Sequence, residues 1–327
     1  VLVSGKGKRK TPIQRLSEWI DQCLAKLKQY TKDIHICGNR NSFSKTDHDA
    51  TFMHMKEDYM RNGHLKPGYN VNVATCSDFI IGSYISSDRN DVHTLIPFME
   101  QLRKNYAGRN IGSVVVDSGY ESEENYCWFE AHPETELYVK PSNHEAVKHR
   151  KYRTDISRRE NMAYDAQTDT YTCANGKLLQ RTQEKKTHTA SGLEIATSVY
   201  ECNECDGCPL KEKCIRACGS KKSLEERYKV IYVSKRFARQ RQAMEAKISS
   251  PKGCLLRVNR SIQAEGNFAY VKQDLDFRRF LLRGNMKVAA EWLLFSLALN
   301  ILHLHHKIQN RRLGSDLKIP SSFPAGL

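Results

Sequence analysis

Asp117 closes a short apolar run, Ile111-Gly112-Ser113-Val114-Val115-Val116, and opens the turn Ser118-Gly119-Tyr120. Far downstream, Glu265 follows Arg260-Ser261-Ile262-Gln263 at the start of a basic, helix-patterned stretch. A carboxylate at a strand end and another on a late helix suit metal-dependent phosphoryl transfer, where two or three acidic groups converge on cations ~4 Å apart. One Mg²⁺ or Mn²⁺ then activates the attacking oxygen and the other steadies the leaving one. Asp117 stands where ligands of α/β sheets gather, beyond the carboxyl end of a strand. Taken singly, the plainer readings are a turn aspartate before Ser-Gly and a solvent-facing glutamate. Their surroundings favour chemistry. Arg260, Lys272, Arg278, Arg279 and Arg283 are interleaved with Phe268, Tyr270, Phe277 and Phe280, and cations beside aromatics suit a surface that tracks a phosphate backbone and stacks bases, with some of the aromatics belonging to the core.

A second chemistry resides in the cysteines. Cys202, Cys205, Cys208 and Cys214 fall within thirteen residues, with Cys173 upstream and Cys218 just beyond. Two CxxC steps bring thiolates close enough to chelate one tetrahedral ion, and the C-x5-C step supplies the fourth. Structural Zn²⁺ is the expected metal, because four thiolates leave no open catalytic position. An iron–sulfur cluster is the alternative, since short cysteine runs hold those too. Cys173 can replace Cys202 as the fourth ligand, and Cys218 reads as a spare. Cys23, Cys37, Cys76, Cys127 and Cys254 read as isolated core or surface residues. Eleven unevenly clustered cysteines in a long, Lys-rich chain fit a reducing compartment better than a disulfide scaffold.

Composition names the partner class. Lys and Arg number 52 against 37 Asp and Glu, a formal charge of +15 spread along 327 residues. That distribution suits a surface following nucleic acid rather than a charged tail. The length allows one large core or two moderate ones. The most apolar stretch, Ala289 to Leu304, contains Glu291, Asn300 and His303. It is short for a span of ~20 residues and reads as a buried core helix. The chain opens at Val1 with neither methionine nor leader, as expected of a fragment or the tail of a longer product.

The elements that must position these residues follow from periodicity. Residues 11–32 predict an amphipathic helix, with Leu16, Trp19, Ile20, Cys23, Leu24 and Leu27 at three- and four-residue steps. Residues 38–46 are a polar loop, and Thr46-Asp47-His48-Asp49-Ala50-Thr51 is a candidate cap for a short helix through Lys56. After a turn from Gly63 to Gly68, strands at 69–74 and 79–85 form a hairpin. A helix over 93–105 precedes the strand ending at Asp117, and 136–139 adds a short strand. This order marks a mixed α/β sheet. Residues 141–250 form a basic, cysteine-rich insertion containing His149-Arg150-Lys151-Tyr152-Arg153, and a helical region near 260–308 breaks at Gly284. The expected organisation is an N-terminal helical or linker segment 1–62, a first core part 63–140, the insertion 141–250, a helical core part 251–310 and a tail 311–327. No internal repeat stands out, and no heptad identifies a subunit interface.

At this point the chain resembles a known family. Lys66-Pro67-Gly68-Tyr69-Asn70-Val71, then Val116-Asp117-Ser118-Gly119-Tyr120 with Glu123-Glu124-Asn125, look like the DDE transposases of bacterial insertion sequences. So do Arg260-Ser261-Ile262-Gln263-Ala264-Glu265-Gly266-Asn267-Phe268, Phe277-Arg278-Arg279-Phe280 and Arg283-Gly284, as well as Ser44-Lys45-Thr46-Asp47-His48-Asp49-Ala50. The block Cys202 to Cys214 resembles the insert of one branch of that family. Together these cover residues 44–308; each piece is weak alone, and the ordered set is specific. The resemblance implies a ribonuclease-H-like core: a mixed sheet with flanking helices, interrupted by the zinc-binding insertion. Asp117 would be its second acidic residue and Glu265 its third, holding Mg²⁺ or Mn²⁺. Together they would cut the element's ends and join them to target DNA. Water would attack in the first step and a DNA 3′-hydroxyl in the second. A homodimer acting on paired DNA ends, off the membrane, in a bacterial cytoplasm near the nucleoid, is implied with it.

Two departures from the family pattern stand out. The first aspartate, expected on an early strand in an Asp-Gly-Thr-like setting, has no counterpart. Val1-Leu2-Val3-Ser4-Gly5 is the candidate remnant of that strand, and Asp49 or Asp47 the substitute carboxylate. Related transposases also place an arginine four residues before the glutamate and a lysine six after, whereas here Arg260 is five before and Lys272 seven after. Without the first carboxylate the competing expectations are a DNA-binding relic or a host nuclease on the same fold.

Overall fold

The computed structural model describes residues 3, 5–7, 9–55, 62–216, 222–314 and 317–318. Cys218, and Val1, Leu2 and Ser4 of the candidate first-strand remnant, lie outside the described residues. In chain order the elements are α1 (Pro12–Cys37), β1 (Thr51–Met53), β2 (Lys66–Gly68), β3 (Asn70–Cys76), β4 (Phe79–Ser86) and α2 (Leu95–Asn105). Then come β5 (Ser113–Val116), α3 (Glu123–Glu130), β6 (Glu136–Val139), α4 (Arg150–Arg153), β7 (Ala163–Asp165), β8 (Thr170–Thr172), β9 (Leu178–His188) and β10 (Glu194–Glu201). The last are α5 (Lys211–Cys214), β11 (Val230–Val233), α6 (Lys235–Ser249), α7 (Pro251–Arg260), α8 (Gly266–Ala269) and α9 (Asn285–Gln309). The chain is mixed α/β and divides into two compact units. One holds Val1–Thr94 with Asn267–Gly314, the other Leu95–Gly266 with Ser315–Leu327.

In the first unit, α1 begins with Thr11 accepting the Gln14 N–H and Pro12 in the first turn. It runs five residues past the predicted end, to Cys37. The predicted hairpin is present as antiparallel β3 and β4, from Asn70↔Ser86 to Cys76↔Phe79. Its two-residue turn, Ser77-Asp78, has positive φ at both positions (52° and 72°), the twist-matching geometry of tight hairpins. α9 lies on β4: the Asn300 side chain accepts from Ile80 N–H and donates to Ile80 C=O, both at 2.8 Å. Ile80, Val271, Trp292 and Leu299 form the core here.

One expectation is corrected in this unit and another is narrowed. The short helix after Thr46 is a turn followed by β1, which pairs with β2 through Phe52↔Pro67. Thr51-Phe52-Met53 is β-favouring, and Thr51 Oγ1 donates to Ser87 C=O at 2.6 Å. The aromatics read as part base-stacking surface and part core are all partly buried against one core cluster. Phe268, Tyr270, Phe277 and Phe280 pack on the cluster around Trp292, with Phe268 and Trp292 rings stacked at 5.8 Å.

In the second unit, β5 and β6 pair in parallel from Ser113↔Glu136 to Val116↔Val139. Among the described residues, this pair is a two-stranded sheet of its own. The largest sheet is antiparallel, in the order β11-β10-β9-β8-β7. It lies inside the stretch whose polar, short-patterned sequence gave no strand expectation. α6 and α7 meet closely at Gly253, where an added Cβ would stand 2.3 Å from the Lys247 carbonyl oxygen. The predicted break near Gly284 is present: Gly284 adopts φ 87° immediately before α9.

Candidate active site and cysteine centre

Asp117 follows β5 directly, so the strand fixes where its backbone ends. Its Oδ1 accepts the Ser118 N–H at 2.6 Å and the Ser118 hydroxyl at 3.3 Å. The turn it opens is clamped from below by a pair that sequence reasoning missed. Glu121, with a side chain 1 % exposed, takes two hydrogen bonds from Arg241 of α6, at 2.8 and 2.9 Å. Ser142 N–H and Tyr126 O–H donate to the same carboxylate, at 2.8 and 3.1 Å. Burial works against the charge, yet the Arg241 and Ser142 hydrogen bonds hold the Glu121 carboxyl below its ordinary range. Glu123 is bound to Arg236 at 2.7 Å. The only signal for these pairs was an acidic run, Glu121 to Glu124, matched by an arginine-rich run at 236–241.

Glu265 lies in the same unit, five residues past the last residue of α7, and α7 packs on β5. Between them, Ser261–Glu265 is wound as a π-helix. Residues five apart on an α-helix point about 140° away from each other, whereas a π turn closes i onto i+5. Arg260 therefore reaches Glu265, Nη2 to Oε1 at 2.6 Å, and Ser261 Oγ donates to Oε2 at 2.9 Å. This winding accounts for the arginine being one residue farther from Glu265 than the family pattern expects. A second π segment, Tyr270–Asp274, carries Lys272, whose ammonium lies 6.0 Å from the Phe268 ring centre. Arg278, Arg279 and Arg283 are exposed on the irregular stretch before α9. Arg278 pairs with Asp276, and Arg283 donates to Thr46 C=O at 3.4 Å.

Asp49 and Asp47 serve the start of α9. Asp49 Oδ2 accepts the Asn285 N–H at 2.8 Å, and Asp47 Oδ1 accepts the Gly284 N–H at 3.2 Å. Tyr69 O–H donates to Asp47 Oδ2 at 2.7 Å, and burial together with Asp47 pushes the Tyr69 hydroxyl well above its ordinary pKa. Both carboxylates thus satisfy backbone donors at a helix N-terminus, a structural role. Among the described residues, no three His, Cys, Asp or Glu side chains stand close enough together to hold a metal ion. Asp117 and Glu265 by themselves do not make a complete carboxylate set for Mg²⁺.

The cysteines do converge. Cys173, Cys202, Cys205, Cys208 and Cys214 line one cavity of about 20 Å³, room for a single ion or water. Three turns supply them. Cys173 begins the β8–β9 turn, where Gly176 N–H reaches Cys173 C=O at 2.9 Å. Cys202 and Cys205 follow β10, and Cys214 ends α5. Lys229 N–H donates to Cys205 Sγ at 3.4 Å, and Lys177, Lys211 and Lys229 ring the site. Burial pushes the Cys202 thiol up to about 11, with Cys205 and Cys173 adding to the rise, and burial also raises Cys214. The sulfurs surround the cavity without closing to ligand distance on one another. Five thiols around one small cavity are the donor chemistry that suits Zn²⁺, and as placed no three of them stand at ligand distance of one ion.

Beside this centre, Asp169 gathers the polar groups of the sheet. Lys235 reaches both its oxygens at 2.8 Å, and Tyr200 and Tyr164 donate at 2.7 and 2.8 Å. Burial opposes the charge, but these donors hold the carboxyl down at about 2.

Residues 172–305 match the family model described as the transposase DDE domain. The matched span contains the cysteine block, Glu265 and the basic stretch, and begins after Asp117. No curated protein and no solved structure matches the chain.

Proposed function

We propose, from the premise that residues 172–305 belong to the transposase DDE family, that this chain is the catalytic region of an insertion-sequence transposase. Its substrate is DNA, at the element's ends and at the target, and its reactions are strand cleavage and strand transfer. The observation that carries this reading is that the family match contains Glu265, held by Arg260 and Ser261 in a π-wound segment. Such windings recur at functional sites.

Asp117 and Glu265 are the proposed catalytic carboxylates of a ribonuclease-H-like centre. Divalent cations bound there, Mg²⁺ or Mn²⁺, supply the Lewis acidity of phosphoryl transfer. The chain's own part is to aim the two carboxylates, Asp117 from the end of β5 and Glu265 from the helix resting on that strand. Arg260, Lys272, Arg278, Arg279 and Arg283 are the proposed contacts to phosphates, in keeping with the +15 charge. The cysteine centre is a proposed structural Zn²⁺ site with Cys205, Cys208 and Cys214 as ligands and Cys173 or Cys202 as the fourth. Its role is to fasten the β8–β9 turn to the segment after β10. The active complex is a homodimer working in the bacterial cytoplasm.

One observation favours a second reading, a DNA-binding relic: no third carboxylate joins Asp117 and Glu265 among the described residues. Nicking of DNA that carries the element's ends, in Mg²⁺ or Mn²⁺, separates the two. The first reading expects nicking by the complete protein and its loss, with DNA binding kept, in Asp117→Asn and in Glu265→Gln. Nicking that persists in both variants removes these residues from the chemistry. Binding without nicking by the unaltered protein makes it a relic.

A further inference from the structure

Two helices of the first unit each expose an apolar stripe of the same period. On α1, Ile13, Leu16, Ile20, Cys23, Leu27, Tyr30 and Ile34 follow a strict three-four-three-four spacing, a heptad whose bearing on an interface emerges only from the exposure of all seven in the fold. The only buried residue of that helix is Gln14. On α9, Leu294, Leu297, Ile301, Leu304 and Ile308 repeat the spacing, on the side away from buried Val288, Trp292, Ser296 and Leu299. The expected core helix is therefore buried along one face only, and among the described residues α9 is long and apolar enough to cross a membrane. A repeat of 3.5 residues over 22 positions drifts around a straight helix of 3.6 and stays aligned only when two helices wind about each other.

The two stripes do not cover each other within the chain, and Arg40 shows why. Its guanidinium donates to the carbonyls of Ile36 and Cys37 at the end of α1, at 2.8 and 3.2 Å. It also donates to those of His48 and Asp49, at 2.9 and 3.0 Å. The Asp49 side chain in turn caps the first residue of α9. The last turn of α1 is thus pinned beside the first turn of α9, and the angle at which α1 departs is set by hydrogen bonds rather than by a free hinge.

We infer that the occupant of both stripes is a second copy of this chain, α1 of one copy seating on α9 of the other, reciprocally. A pairing of α1 with α1 would leave the α9 stripe in water, whereas the exchange covers all four stripes at once and closes with two-fold symmetry. A stable pair needs roughly 1,200–2,000 Å² of total buried surface. Side chains as open as Ile13 (81 %), Ile34 (71 %), Leu294 (70 %) and Ile301 (61 %), used on both copies, are the means of reaching it. The inference deepens the dimer of the proposed function and is independent of its DNA chemistry.

Light scattering on the whole chain tests it. The unaltered protein is expected to be a dimer at micromolar concentration, and Leu27→Glu and Ile301→Glu each a monomer with unchanged circular dichroism. Mixing the two variants is expected to restore a dimer of at least tenfold weaker affinity, because the hybrid keeps one intact α1–α9 contact while each variant alone keeps none. A monomeric unaltered protein overturns both the dimer and this interface. A dimer that survives both substitutions leaves the dimer standing and removes the interface. A dimer lost in Leu27→Glu but kept in Ile301→Glu removes the exchange and leaves α1 pairing with α1, and loss in both without rescue on mixing also removes the exchange.

Discussion

At the residue scale, the carboxylates that tie distant segments together are distinct from the two proposed for chemistry, whose partners lie close by in the chain. Asp47, Asp49, Glu121 and Glu123 each bind backbone donors or an arginine from a distant segment, while among the described residues Asp117 and Glu265 engage neighbours in their own segments. Asp169 is structural too, and its pH behaviour follows from its surroundings. Its carboxyl titrates at about 2 in the fold against an ordinary 3.8. The stability it contributes is therefore present above pH 3.8 and disappears as pH falls through 2. Asp169→Asn keeps the backbone, because asparagine tolerates the positive φ of 51° at this position. That variant is expected to be less stable than the parent at pH 7 and to lose less on going from pH 4 to 2, as read by urea midpoints. The cysteines give a separate prediction. The metal-replete protein should carry about one Zn²⁺ per chain by elemental analysis, and Cys205→Ser, which removes the thiol that accepts Lys229 N–H, should lose it. Iron in place of zinc makes the centre an iron–sulfur site.

At the element scale, much of the order was legible and the pairing was not. The α1 periodicity, the β3–β4 alternation, the strand leading to Asp117 and the break at Gly284 were all readable, because each is a local pattern. The five-stranded sheet was not: β9, Leu178–His188, is exposed at nearly every position and carries no alternation to read. The four aromatics of 268–280 were legible only as a mixture of core and surface, since interleaved arginines hide which rings face inward; all four pack, partly buried, on one core cluster. The π winding at 261–265 left one trace, an arginine displaced by a single residue. The α6–α7 junction gives the prediction at this scale. Gly253→Ala would force a Cβ to 2.3 Å from the Lys247 carbonyl and 2.7 Å from Ile248 Cα. Backbone must move, so a loss of about 1–3 kcal/mol is expected in chemical denaturation. An unchanged midpoint would mean that the two helices are not this close.

At the scale of the whole molecule, a strongly basic chain carries a transposase DDE match, one proposed carboxylate after β5 and another just beyond α7, the helix that packs on β5, and a thiol-lined cavity. The candidate site was legible as far as Asp117, Glu265 and the cysteine block. Their supports, Arg241 beneath the Asp117 turn and Ser261 on Glu265, come from the fold and from no motif. The central claim is transposition rather than hydrolysis alone. The most direct measurement is joining: labelled DNA ending in the element's 3′-hydroxyl is incubated with the complete protein, Mg²⁺ and a plasmid target. The account predicts label covalently joined to plasmid, and none with Glu265→Gln. DNA that is cut but never joined would contradict it and mark the protein as a nuclease.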